Sequence, residues 1–408
     1  MRKTKGVIMQ YSNAVRIICE CIAQSALGIK TSISACDDWK ELFNESRDHS
    51  VLPLVYDTCG AAFDMPETVS NKYKSAVMSI LIRNKALSDF QKQAIGLIEQ
   101  NNYSYVVLKG FTTSALYFKS YLRTCGDVDI LVRKKDFDAI DKLFKANGYQ
   151  VSNETDHFHK TYFKDGFNVE IHFAITDLPS NECGKAIYSY FENCFDNRVL
   201  FEYEGNEFFG LDKTRQALML LIHIERHMKD GGIGFRQLVD YIAFVNKYYD
   251  YVSSDHYDQL LSKCGFKKLS DTLIAIASMY FSCDFVYNDK YESLARELFN
   301  YACARGNFGH KRNLTQSLSD KSLTDKSGMG RFFVVRYYRY FCRRAQLTWK
   351  AAGKYKWLKY IGFIYIPLRY LARVITGKRK ISDSKGVVRS SDEISSLYAS
   401  FEFFKTDK

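Results

Sequence analysis

Apolar residues recur at helical spacing through the first hundred positions of the chain, and strand-like alternation is missing there. The spacing of Val15, Ile18 and Ile22 places them on one face of a helix, and a second run of apolar residues continues the pattern. That second run comprises Ala76, Ile80, Leu87, Ile95 and Leu97. Residues 1–100 are therefore predicted to form an N-terminal helical region.

After Tyr103 the pattern changes to short runs rich in β-branched and aromatic residues, which predict strands. These runs are 105–108, 128–132 and 167–173. Between the last two runs, an amphipathic helix is predicted to begin after Asp136 as its N-cap and to stop at Asn147 and Gly148. The alternation of strands and helices predicts an α/β or α+β core over residues 101–210.

Helical periodicity returns at Asp212 and continues to about residue 310, which predicts a helical domain over residues 211–314. The glycines at positions 231, 232 and 234 are typical of a turn between two helices and favour that interpretation over a phosphate loop. The polar stretch 315–330 is predicted to be a linker. It leads into a C-terminal region, residues 331–408.

Length and charge set further bounds on the function. With 408 residues, the chain is long enough for two or three domains. Its net charge of +12 is concentrated near the end: residues 331–380 contain 14 Lys and Arg and no Asp or Glu. The remainder of the chain is close to neutral. A basic surface that binds a partner is therefore expected only in the C-terminal region.

The basic region 331–380 also contains 13 aromatic residues interleaved with the cations. Three interpretations compete. An anionic membrane surface would attract the cations while Trp and Tyr lie at the headgroup level. Nucleic acid, the less favoured partner, would place the cations on phosphates and stack its bases on the rings. Alternatively, the aromatics pack on the preceding domain and the cations face water.

Eleven cysteines occur without any Cys-x-x-Cys pair, and no apolar stretch approaches the roughly 20 residues needed to span a bilayer. The basic N-terminal residues are not followed by the apolar core of a signal peptide. A reduced, cytoplasmic protein is expected. Attachment to the inner face of the membrane through the basic region would make it peripheral.

Two carboxylates, Asp127 and Asp129, stand two positions apart at the start of an apolar strand. Residues i and i+2 of a strand point to the same face, so both carboxylates are expected to converge on one point. Like charges so placed repel unless a cation lies between them. Mg²⁺, which prefers oxygen ligands, is the expected cation when the substrate is a nucleoside triphosphate.

Lys109 and Gly110 lie where an earlier β run ends and a helix over residues 111–118 is predicted. The start of that helix would offer backbone N–H groups to a phosphate, Lys109 a cation, and Thr112 or Thr113 a hydroxyl. Arg123 is a second candidate for the phosphate charge. These residues form the predicted nucleotide-binding set.

Glu170 and His172 form another pair two positions apart, inside an apolar strand. A third acid on a strand beside that of Asp127 and Asp129 would complete a metal site. In that position Glu170 would bind the metal and accept the proton of an attacking hydroxyl. His172, on the same strand face, joins the predicted nucleotide-binding set.

The order and spacing of these residues resemble the DNA polymerase β-like nucleotidyltransferase superfamily, which has a glycine-containing turn, an Asp-x-Asp strand and a later acidic strand. The segments 108–110, 123–132 and 169–173 are more closely similar to uncharacterised bacterial nucleotidyltransferase family proteins, which are met in polysaccharide-biosynthesis gene neighbourhoods. Residues 39–56 and the set His223, His227, Arg236 and Asp240 extend the similarity on both sides. The resemblance covers roughly residues 35–250.

The resemblance implies an α+β fold with a small mixed β-sheet nucleotidyltransferase core between N- and C-terminal helical regions. It implies that Asp127, Asp129 and Glu170 are catalytic and hold Mg²⁺, and that Lys109 and Gly110 face the triphosphate. The superfamily at large has Gly-Ser or Gly-Gly in that turn, whereas this sequence has Lys-Gly. The sequence therefore departs from the superfamily pattern, and matches the bacterial branch, at this turn.

Four histidines are further candidates. His223 and His227 are four positions apart on a predicted helix, but the glutamate between them is not placed as in the zinc-protease motif. They are interpreted as a structural helix face or as one wall of the cleft. His157 and His159 are expected in an exposed polar loop, with contact to a nucleotide as the alternative.

We predict an Mg²⁺-dependent nucleotidyltransferase that moves a nucleoside monophosphate from a triphosphate to an acceptor hydroxyl. Surface polysaccharide biosynthesis is the setting that the resemblance implies. Two alternatives stay open: a toxin-like nucleotidyltransferase that modifies tRNA or a protein, and a non-catalytic binding or scaffold protein that keeps the fold.

Overall fold

The computed structural model describes residues 11–62, 65–155, 158–176, 178–230, 232–307, 356–362, 364–365, 368–369 and 396–405. The predicted linker 315–330 lies outside these residues, as do His157 and most of the basic region 331–380. Within the described part, no helix is both long and apolar enough to cross a membrane.

Among the residues described before the first strand, four helices occur. They are α1 (Asn13–Ser25), α2 (Trp39–Asp48), α3 (Leu52–Ala62) and α4 (Glu67–Gln100). Ser12 caps α1, because its side chain accepts a hydrogen bond from the Val15 N–H. Val15, Ile18 and Ile22 are all buried on one face of α1, as the helical spacing predicts.

The middle of the chain forms one mixed sheet flanked by helices. Its elements are β1 (Tyr105–Val107), α5 (Phe111–Ser114), β2 (Val128–Val132), α6 (Phe137–Ala146), β3 (Gln150–Thr155), β4 (His159–Lys164), β5 (Phe167–His172), α7 (Glu182–Glu192), β6 (Val199–Tyr203) and β7 (Asn206–Gly210). The strand order is β3-β4-β5-β2-β1-β7-β6. Strands β2 and β5 are parallel, as are β1 and β7, and the other neighbours are antiparallel. The α+β fold with a mixed sheet is confirmed.

Helices follow the sheet to the end of the continuous described part. They are α8 (Lys213–Asp230), α9 (Phe235–Lys247), α10 (Tyr249–Val252), α11 (Asp255–Cys264), α12 (Lys267–Tyr280) and α13 (Glu292–Arg305). Gly232 and Gly234 lie between α8 and α9, so this segment is the turn that the glycines predict. A side chain at Gly234 would lie 2.6 Å from the backbone nitrogen of Asn307.

Each face of the sheet contributes to a different hydrophobic core. Val107 and Ile130 pack with the C-terminal half of α4 and with α6. Val106 and Leu131 belong to a larger core that also holds α1 to α3 and α8 to α13. Because side chains alternate along a strand, Asp129 lies on the same face as Leu131, toward the larger helical body. The alternation places the polar positions of β2 and β5 between the sheet and α8.

Two local predictions differ from the structure. The helix predicted over 111–118 ends at Ser114, because the chain turns and the Phe118 N–H donates to the Ala26 carbonyl oxygen at 2.7 Å. His159 is not in an exposed loop: it begins β4 and is 7% exposed. Pairing with β5 buries it, which local polarity does not reveal.

A candidate nucleotide and metal site between the sheet and helix α8

Three carboxylates meet on one face of the sheet. Asp127 immediately precedes β2, and Asp129 follows two positions later, so both point the same way. Glu170 of β5 is the direct neighbour of Asp129 in the parallel pairing. The side chain of Asp129 is only 1% exposed, whereas that of Asp127 is 39% exposed. The carboxylates therefore extend from a buried floor to an open rim.

Lys109 supplies the positive charge between the two aspartates. Its Nζ lies 2.5 Å from Asp129 Oδ2 and 3.4 Å from each carboxylate oxygen of Asp127. Burial alone would lower the pKa of Lys109, but the charges of Asp127, Asp129 and Glu170 together raise it. The lysine is held as an ammonium ion at the point where the carboxylates converge.

His172 joins the floor of the site from β5. Its Nε2 lies 3.2 Å from Asp129 Oδ1 and 3.3 Å from Glu170 Oε2. Burial opposes a charge on His172, but hydrogen bonds to both carboxylates raise its pKa. Although burial also acts against the carboxylates, the pKa of Asp129 is lowered by Lys109 and His172. His172, Lys109 and His159 lower the pKa of Glu170 to about 2.

Helix α8 forms the opposite wall of a cleft of about 250 Å³, which is also lined by Lys109, Asp127, Asp129, Glu170 and His172. From α8, His223, Arg226 and His227 line this cleft. The two histidine rings are in edge contact, with centroids 4.2 Å apart. Burial and the charge of Lys109 lower the pKa of His227 to about 3, and burial beside His227 lowers that of His223 strongly. Both histidines are thus neutral and line one wall of the cleft, which is the second of the two interpretations of their spacing.

Arg123 lies elsewhere. It is 5% exposed, and its Nε and Nη2 donate to the two carboxylate oxygens of Asp240 at 2.7 and 2.8 Å. Nη1 donates to the Gly110 carbonyl oxygen at 3.1 Å. The guanidinium that the sequence suggested for phosphate is thus held in a buried ion pair outside the cleft. Arg123 instead fixes the turn that carries Lys109.

Gly110, Thr112 and Thr113 are buried beneath that turn, and among the described residues none of them lines the cleft. Gly110 has φ +82°, a conformation that favours glycine. The methyl group of Thr112 lies against Gly210 of β7, where an added side chain would come within 2.5 Å of it. The structure places these two threonines as packing groups behind Lys109, and α5 is only four residues long.

Two residues at the site were missed by the sequence reasoning. Arg226 lies three positions after His223, so the helical period alone could have placed it on the same wall. Asn84 of α4 is 2% exposed and holds the loop before Asp127. Its amide nitrogen donates to the Arg123 carbonyl at 2.8 Å, and its oxygen accepts from the Cys125 N–H at 3.1 Å. No sequence signal identifies that long-range contact.

The donor set fits a divalent cation. Asp127, Asp129 and Glu170 offer the carboxylate oxygens that Mg²⁺ prefers, and their low pKa values keep Asp129 and Glu170 ionised. Lys109 shows that a cation is accepted at this place. Beside it, ligand atoms of His159, Glu170 and His172 lie within 4.8 Å of one another.

Comparisons with known proteins identify the family of the chain. A family model described as "Uncharacterised nucleotidyltransferase" matches residues 35–282, a range that contains the whole sheet and the cleft. Among solved structures, the chain is similar to an antigenic nucleotidyltransferase-like protein from Paracoccidioides brasiliensis. The identity is 15%, the match covers 50% of this chain and 93% of that one, and the TM-score is 0.29. No curated protein matches the chain. The family match confirms the resemblance in the sequence.

Proposed function

We propose that this chain, which belongs to the family of uncharacterised nucleotidyltransferases, moves a nucleoside monophosphate from a triphosphate to an acceptor hydroxyl. The observation that carries the proposal is the convergence of Asp127, Asp129 and Glu170 on one cleft around the ammonium group of Lys109. Mg²⁺ is the proposed cofactor, and these three carboxylates would hold it. Bound there, it would supply electrophilic stabilisation of the phosphate that is attacked.

Lys109 and Arg226 are the proposed partners of the triphosphate. Both line the cleft, on opposite walls, and both carry a fixed positive charge. Arg226 is held with its guanidinium carbon 4.7 Å from the centre of the Phe158 ring. The neutral rings of His223 and His227 can donate or accept hydrogen bonds without adding charge. Arg226 therefore takes the role that the sequence suggested for Arg123.

Glu170 is better suited to orient the acceptor than to take its proton. A carboxylate whose pKa is about 2 is a weak base, so proton transfer to it from a hydroxyl is unfavourable. The same carboxylate accepts hydrogen bonds readily and attracts cations. We assign Glu170 to metal binding and to positioning of the hydroxyl.

The finer parts of the proposal rest on other grounds. The surface-polysaccharide setting follows from the family resemblance. Peripheral attachment to an anionic membrane surface rests on the 14 basic residues of 331–380, most of which lie outside the described residues. Nucleic-acid binding by the same region would favour the alternative that tRNA is modified. A vesicle-binding assay with the full chain, with and without anionic lipid, would test the membrane part separately.

Thermal stabilisation by each of the four nucleoside triphosphates with Mg²⁺ tests the central proposal. A ligand at a hundred times its Kd stabilises the folded protein by about 2.7 kcal/mol, which is visible as a shift in Tm. We expect a shift with at least one triphosphate for the wild type and none for an Asp127→Asn/Asp129→Asn variant. Pyrophosphate release with candidate acceptors would then establish turnover.

The matched control is Asp136→Asn/Asp138→Asn, a second Asp-x-Asp pair at the start of α6 and outside the cleft. This control should keep the full shift. Equal stabilisation of the wild type and the Asp127→Asn/Asp129→Asn variant would contradict the proposed site. Stabilisation without turnover would instead favour the non-catalytic binding protein.

A further inference from the structure

A cluster of nitrogen and oxygen ligands lies next to the carboxylate site. His159 Nε2 is 3.5 Å from Glu170 Oε2, and His172 Nε2 is 3.3 Å from the same oxygen. The two imidazole rings lie 4.8 Å apart, centre to centre. Three potential ligand atoms thus surround one small volume.

The strand register builds this cluster. His159 of β4 pairs directly with His172 of β5, and Glu170 precedes His172 by two positions on the same face. Neighbouring strands are about 4.8 Å apart, so opposed residues place their side chains side by side. Because all three ligands stand on regular, paired strands, their positions are fixed by the sheet rather than by a loop.

The cluster is also enclosed. The side chains of His159 and His172 are 8% and 3% exposed, while that of Glu170 is 22% exposed and opens toward the cleft. Phe158 lies beside both rings, with centroid distances of 4.8 and 6.0 Å. An ion entering from the cleft would therefore meet a preformed group of donors with little access to bulk water.

Two imidazoles and a carboxylate make a different donor set from that of Asp127 and Asp129. Imidazole nitrogen suits Zn²⁺ and other late transition metals, whereas Mg²⁺ and Mn²⁺ suit oxygen ligands, and Mg²⁺ also demands strict octahedral geometry. Two histidines with one glutamate is a ligand set that binds Zn²⁺ in proteins. The cluster thus favours a softer ion than the aspartate pair beside it.

We propose that His159, Glu170 and His172 form a transition-metal site that binds Zn²⁺ more tightly than Mn²⁺ and both more tightly than Mg²⁺. The inference deepens the proposed function, on which it rests for the catalytic meaning of Glu170. Binding of the ion itself requires no nucleotide. Glu170 would then serve both sites, and Mg²⁺ at Asp127 and Asp129 remains the proposed cofactor of the transfer.

A metal-free explanation competes with this one. His172 as an imidazolium ion would lie between Asp129 and Glu170 and neutralise both, with contacts of 3.2 and 3.3 Å. His159 would then be a packing residue on β4. Under that explanation the cluster has no affinity for Zn²⁺ beyond that of an exposed histidine.

Zinc binding to the nucleotide-free full chain decides between the two. The chain is dialysed against a chelator-buffered Zn²⁺ series, and bound zinc is counted by inductively coupled plasma mass spectrometry. Co²⁺ is the spectroscopic probe, because its visible absorption reports a site of low coordination number. Excess Mg²⁺ is added in a parallel series to measure the preference.

Two variants remove ligands: His159→Gln, and Glu170→Gln, which conserves size in case the first fails to fold. Two control variants keep all three proposed ligands. His256→Gln removes an exposed histidine of α11, and Asp127→Asn alters the magnesium site only. Circular dichroism establishes that each variant is folded.

We expect one zinc per wild-type chain, retained in excess Mg²⁺, and an affinity at least about 10-fold lower in both ligand variants. The two controls should bind zinc as the wild type does. Equal zinc binding by wild type and both ligand variants, or binding lost only in His256→Gln, would overturn the proposal and leave adventitious zinc. Asp127→Asn separates the two hypotheses, since it should lose stabilisation by Mg²⁺ and triphosphate while it keeps zinc.

Discussion

Nζ of Lys109 lies 2.5 Å from Oδ2 of Asp129, and the aspartate is almost wholly removed from solvent. A buried carboxylate needs a nearby cation, because leaving its charge uncompensated is costly. The lysine comes from the turn after β1 and the aspartate from β2, so the antiparallel pairing of these strands brings the two charges together. Lys109 and a metal ion would compete for the same oxygen atom.

Replacing Lys109 with methionine should therefore have opposite effects on the protein alone and on its metal complex. In the presence of a chelator, Lys109→Met should lower the free energy of unfolding by about 3 kcal/mol, because Asp129 loses the closer of its two cationic partners and keeps only His172. Added Mg²⁺ should restore more stability to this variant than to the wild type. Urea unfolding with and without Mg²⁺ measures both effects.

Lys160→Met is the control, since Lys160 is partly exposed and pairs with Asp141 outside the cleft. Its response to Mg²⁺ should equal that of the wild type. A Lys109→Met variant that is no more responsive to Mg²⁺ than Lys160→Met would show that lysine and metal do not share Asp129.

Arg226 and Arg83 should differ in their effect on nucleotide binding. Arg226→Gln removes a charge from the cleft wall and should weaken stabilisation by a triphosphate about 10-fold in Kd, the equivalent of one charged hydrogen bond. Arg83→Gln is the matched control, because Arg83 also lies over an aromatic ring, that of Phe167, but outside the cleft. A titration of Tm against triphosphate concentration provides the two Kd values, and equal values would contradict the assignment.

The buried pair Arg123 and Asp240 should be a major source of stability. Asp240 accepts hydrogen bonds from Nε and Nη2 of Arg123. It also accepts one from the hydroxyl of Tyr117 at 2.7 Å. Asp240→Ala leaves a buried guanidinium unpaired and should cost about 3 to 5 kcal/mol in urea unfolding. Glu182→Ala, which breaks a pair on the exposed surface of α7, should change the free energy of unfolding far less, because water screens that pair. Similar losses from the two substitutions would argue against a structural role for Arg123.

Stability should fall as the pH drops from 7 to 5, because His223 and His227 are neutral in the folded chain. Their pKa values are lowered in the fold, that of His227 to about 3, whereas an unfolded histidine titrates near 6.5. The unfolded state therefore takes up protons first. The stability that the two neutral histidines contribute is present above pH 6.5, and it is lost as the pH falls toward their pKa values in the folded chain.

The urea midpoint measured across this range should decline less in a His223→Gln/His227→Gln variant than in the wild type. His172 acts in the opposite sense, because its pKa is raised and its stabilisation is largest below pH 6.5. The carboxylates Asp129 and Glu170 lose their stabilising contribution only below about pH 4.5, which lies outside the range from pH 7 to 5. His256→Gln is the control, and a slope equal to that of the wild type in the double variant would refute the assignment.

The sequence predicts β2, β5 and α6 because their apolar patterns are local and strong. It does not predict β6. Three of the five residues of β6 are exposed, so its apolar residues do not mark one buried face of the strand. The sequence places His159 in a loop for a related reason: most of the surrounding segment is polar, and only pairing with β5 buries the histidine. Strand pairing depends on two separate segments, and the periodicity within one segment does not reveal it.

The candidate site divides in the same way. Asp127 and Asp129 share a face because side chains alternate along a strand, which the sequence shows. That the strands of Lys109 and Glu170 lie on either side of theirs is implied by the family resemblance and not by periodicity. Arg123 and Asp240 are 117 positions apart, so nothing local shows that the arginine is already paired. The wall containing Arg226 depends on which side of the sheet α8 covers, which is a tertiary fact.

Helix α4 belongs to both hydrophobic cores: Tyr73 and Val77 pack in the larger one, and Leu87 and Ile98 in the smaller one. A rigid 34-residue element shared in this way couples the two halves of the molecule during unfolding. Loss of either core removes a packing partner of the other, so the halves should open together. The buried amide hydrogens of α4 should then exchange at one common rate, whether they lie in the larger core or in the smaller one.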